Sequence, residues 1–147
     1  MRPAASMSGL PELPPTMSLL VDRLNGVAGS SVARAARQLA GTANGGELNG
    51  VRILSPRSVE LMGSAFVPST LPGRPAGEGY GLGVRVVTDA AARGTWLSDG
   101  SFGWSGAYGT HFWVDPKENL VGILLAQTPN RTFSSDFENA VMQALVE

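Results

Sequence analysis

The sequence predicts a mixed α/β fold (α+β type), in which helices pack on an antiparallel sheet. Residues 110–114 and 120–126 are apolar runs separated only by a proline-containing turn, a pattern typical of neighbouring antiparallel strands. Residues 80–86 alternate apolar side chains with glycine or arginine, as in a strand with one buried face. Residues 137–145 repeat apolar side chains at helical spacing. We therefore expect a C-terminal helix that lies across the sheet.

The composition indicates one ordered domain and excludes several classes of function. The chain has 147 residues, of which 43% are hydrophobic and 16% are charged. A net charge of -1 argues against nucleic-acid partners. With no cysteine and a single histidine, His111, we expect no metal site, and no motif indicates a cofactor. No apolar run approaches the ~20 residues of a membrane span, and no secretory signal is evident, which makes the cytoplasm the default compartment.

Residues 1–43 differ in composition from residues 44–147. The first segment is rich in proline, alanine and arginine and contains no aromatic residue. Two helical patterns are present, at 16–24 and 31–40, and the second has only a weak apolar stripe. We interpret 1–43 as a poorly defined N-terminal segment and 44–147 as the main domain.

The local signals become stronger after residue 44. Asn49-Gly50 lies between apolar residues and predicts a hairpin with a two-residue turn. Ser55-Pro56 predicts the start of a helix that continues to Met62. Residues 67–79 contain several prolines and glycines and indicate a surface loop, and 80–87 should form one strand.

The last third of the chain should form the centre of the sheet. Residues 120–126 are apolar on both faces, so we expect a central strand that is covered on both sides. Ser135 and Glu138 have the spacing of a capping box, which predicts a helix start at Ser135.

A glycine-rich stretch at 103–110 contains the residues with the most interesting chemistry. Its three glycines indicate either the close approach of a ligand or ordinary tight packing. Ser105 narrowly misses the serine-elbow pattern Gly-x-Ser-x-Gly because Ala107 occupies the last position. A catalytic pair of Ser105 and His111 is conceivable, but a structural role fits His111 better, since it lies in an alternating strand. Lys117, in a turn, fits a solvated charge.

Residues 45–56, 80–83, 103–109 and 113–116, taken together, resemble the C-terminal part of the serine β-lactamase-related family. Within that family, the pattern resembles class C β-lactamase-like proteins and family VIII carboxylesterases. The resemblance covers 44–147 in the order of the family. It implies a partial β-lactamase/transpeptidase-like fold, an antiparallel sheet with a C-terminal helix packed on it.

The resemblance also implies a chemistry. In complete members the serine of a Ser-x-x-Lys motif attacks an ester or amide carbonyl, and a Tyr-x-Asn tyrosine helps to transfer protons. A third motif lies on a strand along the pocket, and Trp104, Ser105 and Gly106 match its Trp-x-Gly variant. By the same match, the backbone N–H of Ala107 would be an oxyanion donor.

Two of the three motifs are missing from this sequence. No serine is followed three residues later by lysine, and neither Tyr80 nor Tyr108 is followed by asparagine in the Tyr-x-Asn pattern. We therefore expect neither nucleophile nor catalytic base in this chain. It should be the C-terminal part of a hydrolase that is inactive alone and binds a small ester or amide only in the complete protein.

Other interpretations remain open at this point. The chain could be a non-catalytic β-rich interaction module or a decayed gene product, and the bias of residues 1–43 suggests a frameshifted or misassigned start. An unpaired sheet edge would also favour self-association. A self-contained hydrolase that uses Ser105 and His111 is the third interpretation.

Overall fold

The computed structural model describes residues 31–127 and 131–145, so the helical pattern predicted at 16–24 lies outside the described residues. The helices are α1 (Ser31–Ala43), α2 (Pro56–Met62), α3 (Ala90–Arg93) and α4 (Arg131–Gln143). The strands are β1 (Glu47–Leu48), β2 (Val51–Arg52), β3 (Glu78–Tyr80), β4 (Arg85–Val87), β5 (Phe102–Ser105), β6 (His111–Asp115) and β7 (Leu120–Leu124). Within these two ranges, no helix has both the length and the apolar character needed to cross a membrane.

Strands β3 to β7 form one antiparallel sheet whose order follows the sequence, and a helix covers each face. On one face, Ala40 of α1 packs with buried residues of the sheet, namely Val84, Val86, Phe102, Val114 and Val121. On the other face, Met142 of α4 packs with Val87, Leu97, Trp113 and Leu120. The predicted fold class is confirmed.

Two local predictions near the start of the main domain are confirmed. Strands β1 and β2 pair antiparallel, and Asn49 (φ 53°) and Gly50 (φ 76°) supply the left-handed conformations of the turn. Ser55 caps α2, because its side-chain oxygen accepts a hydrogen bond from the N–H of Ser58 at 3.0 Å. Pro56 occupies the first turn of the helix, where its missing N–H costs no hydrogen bond.

The predicted pairing of the last two strands is also confirmed. Strands β6 and β7 pair from His111↔Leu124 to Asp115↔Leu120. The buried carboxylate of Asp115 fixes the turn between them by accepting hydrogen bonds from the N–H groups of Lys117 (3.1 Å) and Glu118 (3.3 Å).

The prediction of one continuous strand over 80–87 is wrong. These residues form a hairpin, in which the N–H of Gly81 donates to the carbonyl of Val84 at 2.8 Å and Leu82 is exposed at the tip. A Cβ at position 81 would lie 2.1 Å from the carbonyl oxygen of Met62, and Gly83 has a φ of 79°. The two glycines therefore allow a tight turn against the end of α2. The apolar residues on the two sides of this turn alternate as they would in a single strand, which is why the sequence predicted one.

The predicted position of residues 120–126 is only half correct. Both faces of β7 are covered, since Leu120 packs on the side of α4 and Val121 on the side of α1. Within residues 31–127 and 131–145, however, β7 is the last strand of the sheet and not a central one. An apolar run indicates that the faces of a strand are buried, but it does not indicate how many edges are paired.

The capping-box prediction for the C-terminal helix is wrong. Helix α4 already includes Arg131, so Ser135 and Glu138 lie within the helix and not at its start. The carboxylate of Glu138 binds side chains from the sheet. At the other end of the described chain, α1 is longer than the predicted 31–40, and Ala36 and Ala40 bury its weak stripe in the core.

Candidate active site

The predicted third-motif residues lie on a cavity of about 920 Å³ at one end of the sheet. The cavity is bounded by the end of β5, the turn after it and the facing side of α4. It is lined by Glu78, Arg85, Trp104, Ser105, Gly106, Ala107, Gly109, His111, Ser134, Ser135 and Glu138. The structure thus brings together all four residues that the family resemblance placed in the pocket.

Strand β5 extends beyond the end of its neighbour β4 and leaves backbone donors unpaired. The last pair between the two strands is Arg85↔Gly103. The N–H of Gly106 points towards β6, because it donates to the carbonyl of Thr110 at 2.7 Å. Backbone groups alternate along a strand, so the N–H of Ser105 points to the open side. Among the backbone hydrogen bonds of the described residues, none uses the N–H of Ala107.

The glycines of this stretch have packing reasons of their own. A Cβ at Gly103 would lie 2.2 Å from the carbonyl oxygen of Phe112, and one at Gly106 would lie 2.1 Å from the hydroxyl of Thr110. The close approach that the sequence indicated is therefore made by the neighbouring strand. These glycines are therefore not evidence for a bound ligand, and the case for a ligand depends on the backbone N–H groups on the open side of β5.

Three side chains form a hydrogen-bonded chain that leads from the cavity into the protein. Ser105 and His111 are directly opposite each other on β5 and β6, and the Ser105 Oγ lies 2.8 Å from Nδ1 of His111. The other ring nitrogen, Nε2, lies 2.7 Å from Oε1 of Glu138 on α4. Ser105 is exposed, whereas the side chains of His111 and Glu138 are only 1% and 2% exposed.

The charge of Glu138 fixes the direction of these hydrogen bonds. Burial alone would raise the pKa of Glu138, but the hydrogen bond with His111 and the charges of Arg85 and Arg93 together lower this pKa below its ordinary value. An ionised carboxylate only accepts, so Nε2 of His111 must carry the proton. In the neutral imidazole, Nδ1 then accepts from the hydroxyl of Ser105.

Two arginines and two glutamates surround this chain and balance its charge. Arg85 binds Glu138 and lies 3.8 Å from Glu78, while Arg93 lies 3.1 Å from Glu78 and 3.7 Å from Glu138. An Nη2 of Arg85 also lies 3.3 Å from Nε2 of His111. The cluster therefore carries no net charge while the imidazole is neutral, which makes its burial tolerable.

Sequence reasoning missed Glu138 and did not place His111 beside a carboxylate. The capping-box interpretation assigned Glu138 to a local role, although a glutamate on the inner face of an amphipathic helix needs a partner. The glycines at 106 and 109 were a usable signal for a turn, and a turn there places residues 105 and 111 opposite each other on neighbouring strands.

Comparisons with known proteins agree with this architecture. The family model described as Beta-lactamase matches residues 2–147, and so extends across the boundary that we predicted between residues 43 and 44. Two curated proteins of Mycobacterium tuberculosis, Protein Rv1367c (strain H37Rv) and Uncharacterized protein MT1414 (strain CDC 1551), are each 38% identical over 92 residues. That region is 56% of this chain and 23% of each relative.

Two solved structures have a similar fold. One is described as EstCE1, a hydrolase with promiscuous acyltransferase activity; it is 29% identical, with a TM-score of 0.60 over 76% of this chain and 29% of its own. The other, a β-lactamase (Mb2281c) from Mycobacterium bovis, is 24% identical, with a TM-score of 0.57 over 78% of this chain and 43% of its own. The chain thus spans less than half of each protein.

Proposed function

The chain belongs to the β-lactamase family, and from this premise we propose that it supplies the pocket strand and an oxyanion donor of a serine hydrolase. The substrates of the complete hydrolase would be esters or β-lactam-like amides. The observation that carries the proposal is the N–H of Ala107, which donates to no backbone carbonyl of the described residues and lies beside the 920 Å³ cavity. It directly follows Trp104, Ser105 and Gly106, which match the third family motif.

The physical role of such a donor is electrostatic. When a nucleophile adds to a carbonyl, negative charge develops on the oxygen, and an N–H that already points there stabilises it without reorganisation. The hydrogen bond from Gly106 to Thr110 holds the turn in place and keeps the next N–H available. Trp104, whose ring lies 5.4 Å from that of Tyr80, contributes an apolar wall beside the donor.

The turnover reaction needs parts that this sequence does not contain. None of its serines begins a Ser-x-x-Lys motif, and the chain spans 23% of the length of its curated relatives. We therefore assign ester or amide hydrolysis to the complete protein. The similarity to a structure described as a hydrolase with acyltransferase activity supports acyl groups as the chemistry of the pocket.

The test joins residues 44–147 to the N-terminal half of a complete class C-like esterase, which restores Ser-x-x-Lys and Tyr-x-Asn. The chimera should hydrolyse short-chain p-nitrophenyl esters, while the 147-residue chain shows no steady-state turnover of these esters or of nitrocefin. Ala107→Pro removes the N–H, and loss of one oxyanion donor costs about 10²–10³ in turnover. Ala107→Ser keeps the N–H and is the matched control.

The outcomes separate the donor from the fold. A folded chimera in which the proline variant turns over as fast as the serine variant would show that Ala107 is not the donor. Steady-state hydrolysis by the 147-residue chain alone, above a heat-denatured sample, would contradict the division of roles between the two parts.

A further inference from the structure

We infer that Ser105 is itself an acyl acceptor: a nucleophilic serine with His111 as its base and Glu138 as the positioning carboxylate. The substrate class is acyl or phosphonyl compounds with a good leaving group. This inference rests on the geometry of three side chains and not on the proposed oxyanion role of Ala107. It assigns a covalent site to the chain as it stands.

The three side chains have the contacts that nucleophile activation requires. The Ser105 hydroxyl donates to Nδ1 of His111 over 2.8 Å, and the ring is fixed on its far side by Glu138 at 2.7 Å. A nucleophile within hydrogen-bond distance of a base that a third group orients is the usual signature of an activated serine. The Ser105 side chain lies on the cavity, where a substrate can reach it.

Glu138 stabilises the charged state that forms during attack, while Arg85 opposes it. When the Ser105 proton moves to Nδ1, the imidazolium faces the carboxylate of Glu138. Arg85, from β4, opposes this charge at 3.3 Å but also binds Glu138, and Glu78 of β3 pairs with Arg85 and Arg93. The two carboxylates thus offset the two guanidinium groups, and the imidazolium adds a single positive charge.

The covalent step is balanced within the chain and the reagent. The Oγ of Ser105 forms a bond to the carbonyl carbon, its proton passes to Nδ1 of His111, and the bond to the leaving group breaks with both electrons. The departing phenolate or fluoride takes this proton from Nδ1, which restores the neutral imidazole. The N–H of Ser105 points to the open side of β5, beside the serine, and can face the developing oxyanion.

The burial of His111 predicts that the reaction stops after one acylation. Its side chain is 1% exposed although it borders the cavity, and its Nδ1 lies 2.8 Å from the Ser105 oxygen. Once that oxygen carries an acyl group, we expect the group to keep a hydrolytic water from reaching Nδ1. Ser105 should therefore accumulate a stable acyl group, with one equivalent of phenolate released and no steady-state turnover.

The test uses the 147-residue chain with an alkyl fluorophosphonate and, separately, p-nitrophenyl acetate. We expect one label per chain, mapped to Ser105 by peptide mass spectrometry and absent from Ser105→Ala. Ser69→Ala is the matched control, because Ser69 lies in the loop at 67–79 and does not line the cavity, and it should be labelled at the wild-type rate. His111→Gln should slow labelling at least about tenfold, since a positioned base contributes ~10²–10⁴.

The pH dependence of labelling tests the positioning role of Glu138. The wild-type rate should rise and reach a plateau as the imidazole loses its proton. Glu138→Gln, checked for folding by circular dichroism, should move this inflection to lower pH, because no carboxylate then stabilises the imidazolium. A merely structural role would leave the inflection unmoved.

Several results would overturn the inference. Absence of label on wild type, equal label on Ser105→Ala, or label spread over several serines would each show that Ser105 is not activated. A wild-type rate that climbs with pH without a plateau would indicate attack driven by hydroxide. Since these outcomes use wild type and an exposed-site variant, they stand even if His111→Gln or Glu138→Gln fails to fold.

Discussion

Replacing Glu138 by glutamine keeps the shape of the side chain and removes its charge from the buried cluster. Arg85 and Arg93 then share Glu78 as their remaining anion in the cluster. Breaking a buried ion pair by removing one partner costs about 3–5 kcal/mol. The two arginine side chains keep 15% and 14% exposure, so we expect the lower end, a loss of ~3 kcal/mol in the free energy of unfolding.

The measurement is urea unfolding followed by tryptophan fluorescence, to which the fully buried Trp113 contributes. The matched control is Glu60→Gln, which breaks an ion pair with Arg57 whose side chains are 63% and 69% exposed. Because solvent screens such a pair, its loss should change stability by less than about 0.5 kcal/mol. Equal effects of the two substitutions would refute the reasoning.

The effect of Glu138→Gln should also depend on pH. The folded-state pKa of Glu138 is lowered from its ordinary value of 4.5, so its carboxylate stabilises the folded protein at higher pH. This contribution is lost as the pH falls through the lowered pKa. The stability difference between wild type and variant should therefore be largest near pH 7 and shrink as the pH falls below 4.5. A constant difference over this range would contradict an ionised Glu138.

Two further predictions concern packing and association. Gly122→Ala would place a Cβ 2.1–2.3 Å from three ring atoms of the buried Trp113 and should lower the free energy of unfolding by about 1–3 kcal/mol, measured by thermal unfolding. In the control Gly41→Ala, the nearest contact of the new Cβ is at 3.5 Å, so stability should not fall. Equal melting temperatures of the two variants would contradict the packing argument. The chain alone should self-associate, because β7 ends the described sheet and large apolar side chains such as Ile53 and Tyr108 are 76% exposed. Size-exclusion chromatography with light scattering checks this, and a compact monomer would count against it.

The sequence predicted those elements whose signals are local. The turn at Asn49-Gly50 and the cap at Ser55 were predictable because each depends on the residues at that position alone. The β6–β7 pair was predictable because a short turn leaves few alternatives to antiparallel pairing. The third-motif residues were found by resemblance, and the structure brings them to one cavity.

The failures arose where the partner of a residue lies elsewhere in the chain. The turn at Gly81 depends on the carbonyl of Met62, which an alternating pattern does not reveal. The role of Glu138 depends on Arg85 and His111, which precede it by 53 and 27 residues. Because the capping-box pattern explained Glu138 by its neighbours in sequence, it predicted no partner of Glu138 elsewhere in the chain.

The connection at 106–110 has a consequence for how the chain can vary. Because side chains alternate along a strand, the length of this connection decides whether His111 faces Ser105 and α4 or the opposite side, towards α1. One residue inserted or deleted here would separate the serine from its imidazole without changing either residue. Substitutions in the exposed turn leave that parity intact. The contact between Ser105 and His111 thus depends on the number of residues in this connection. The site should therefore tolerate amino-acid substitutions in the connection far better than the insertion of one residue.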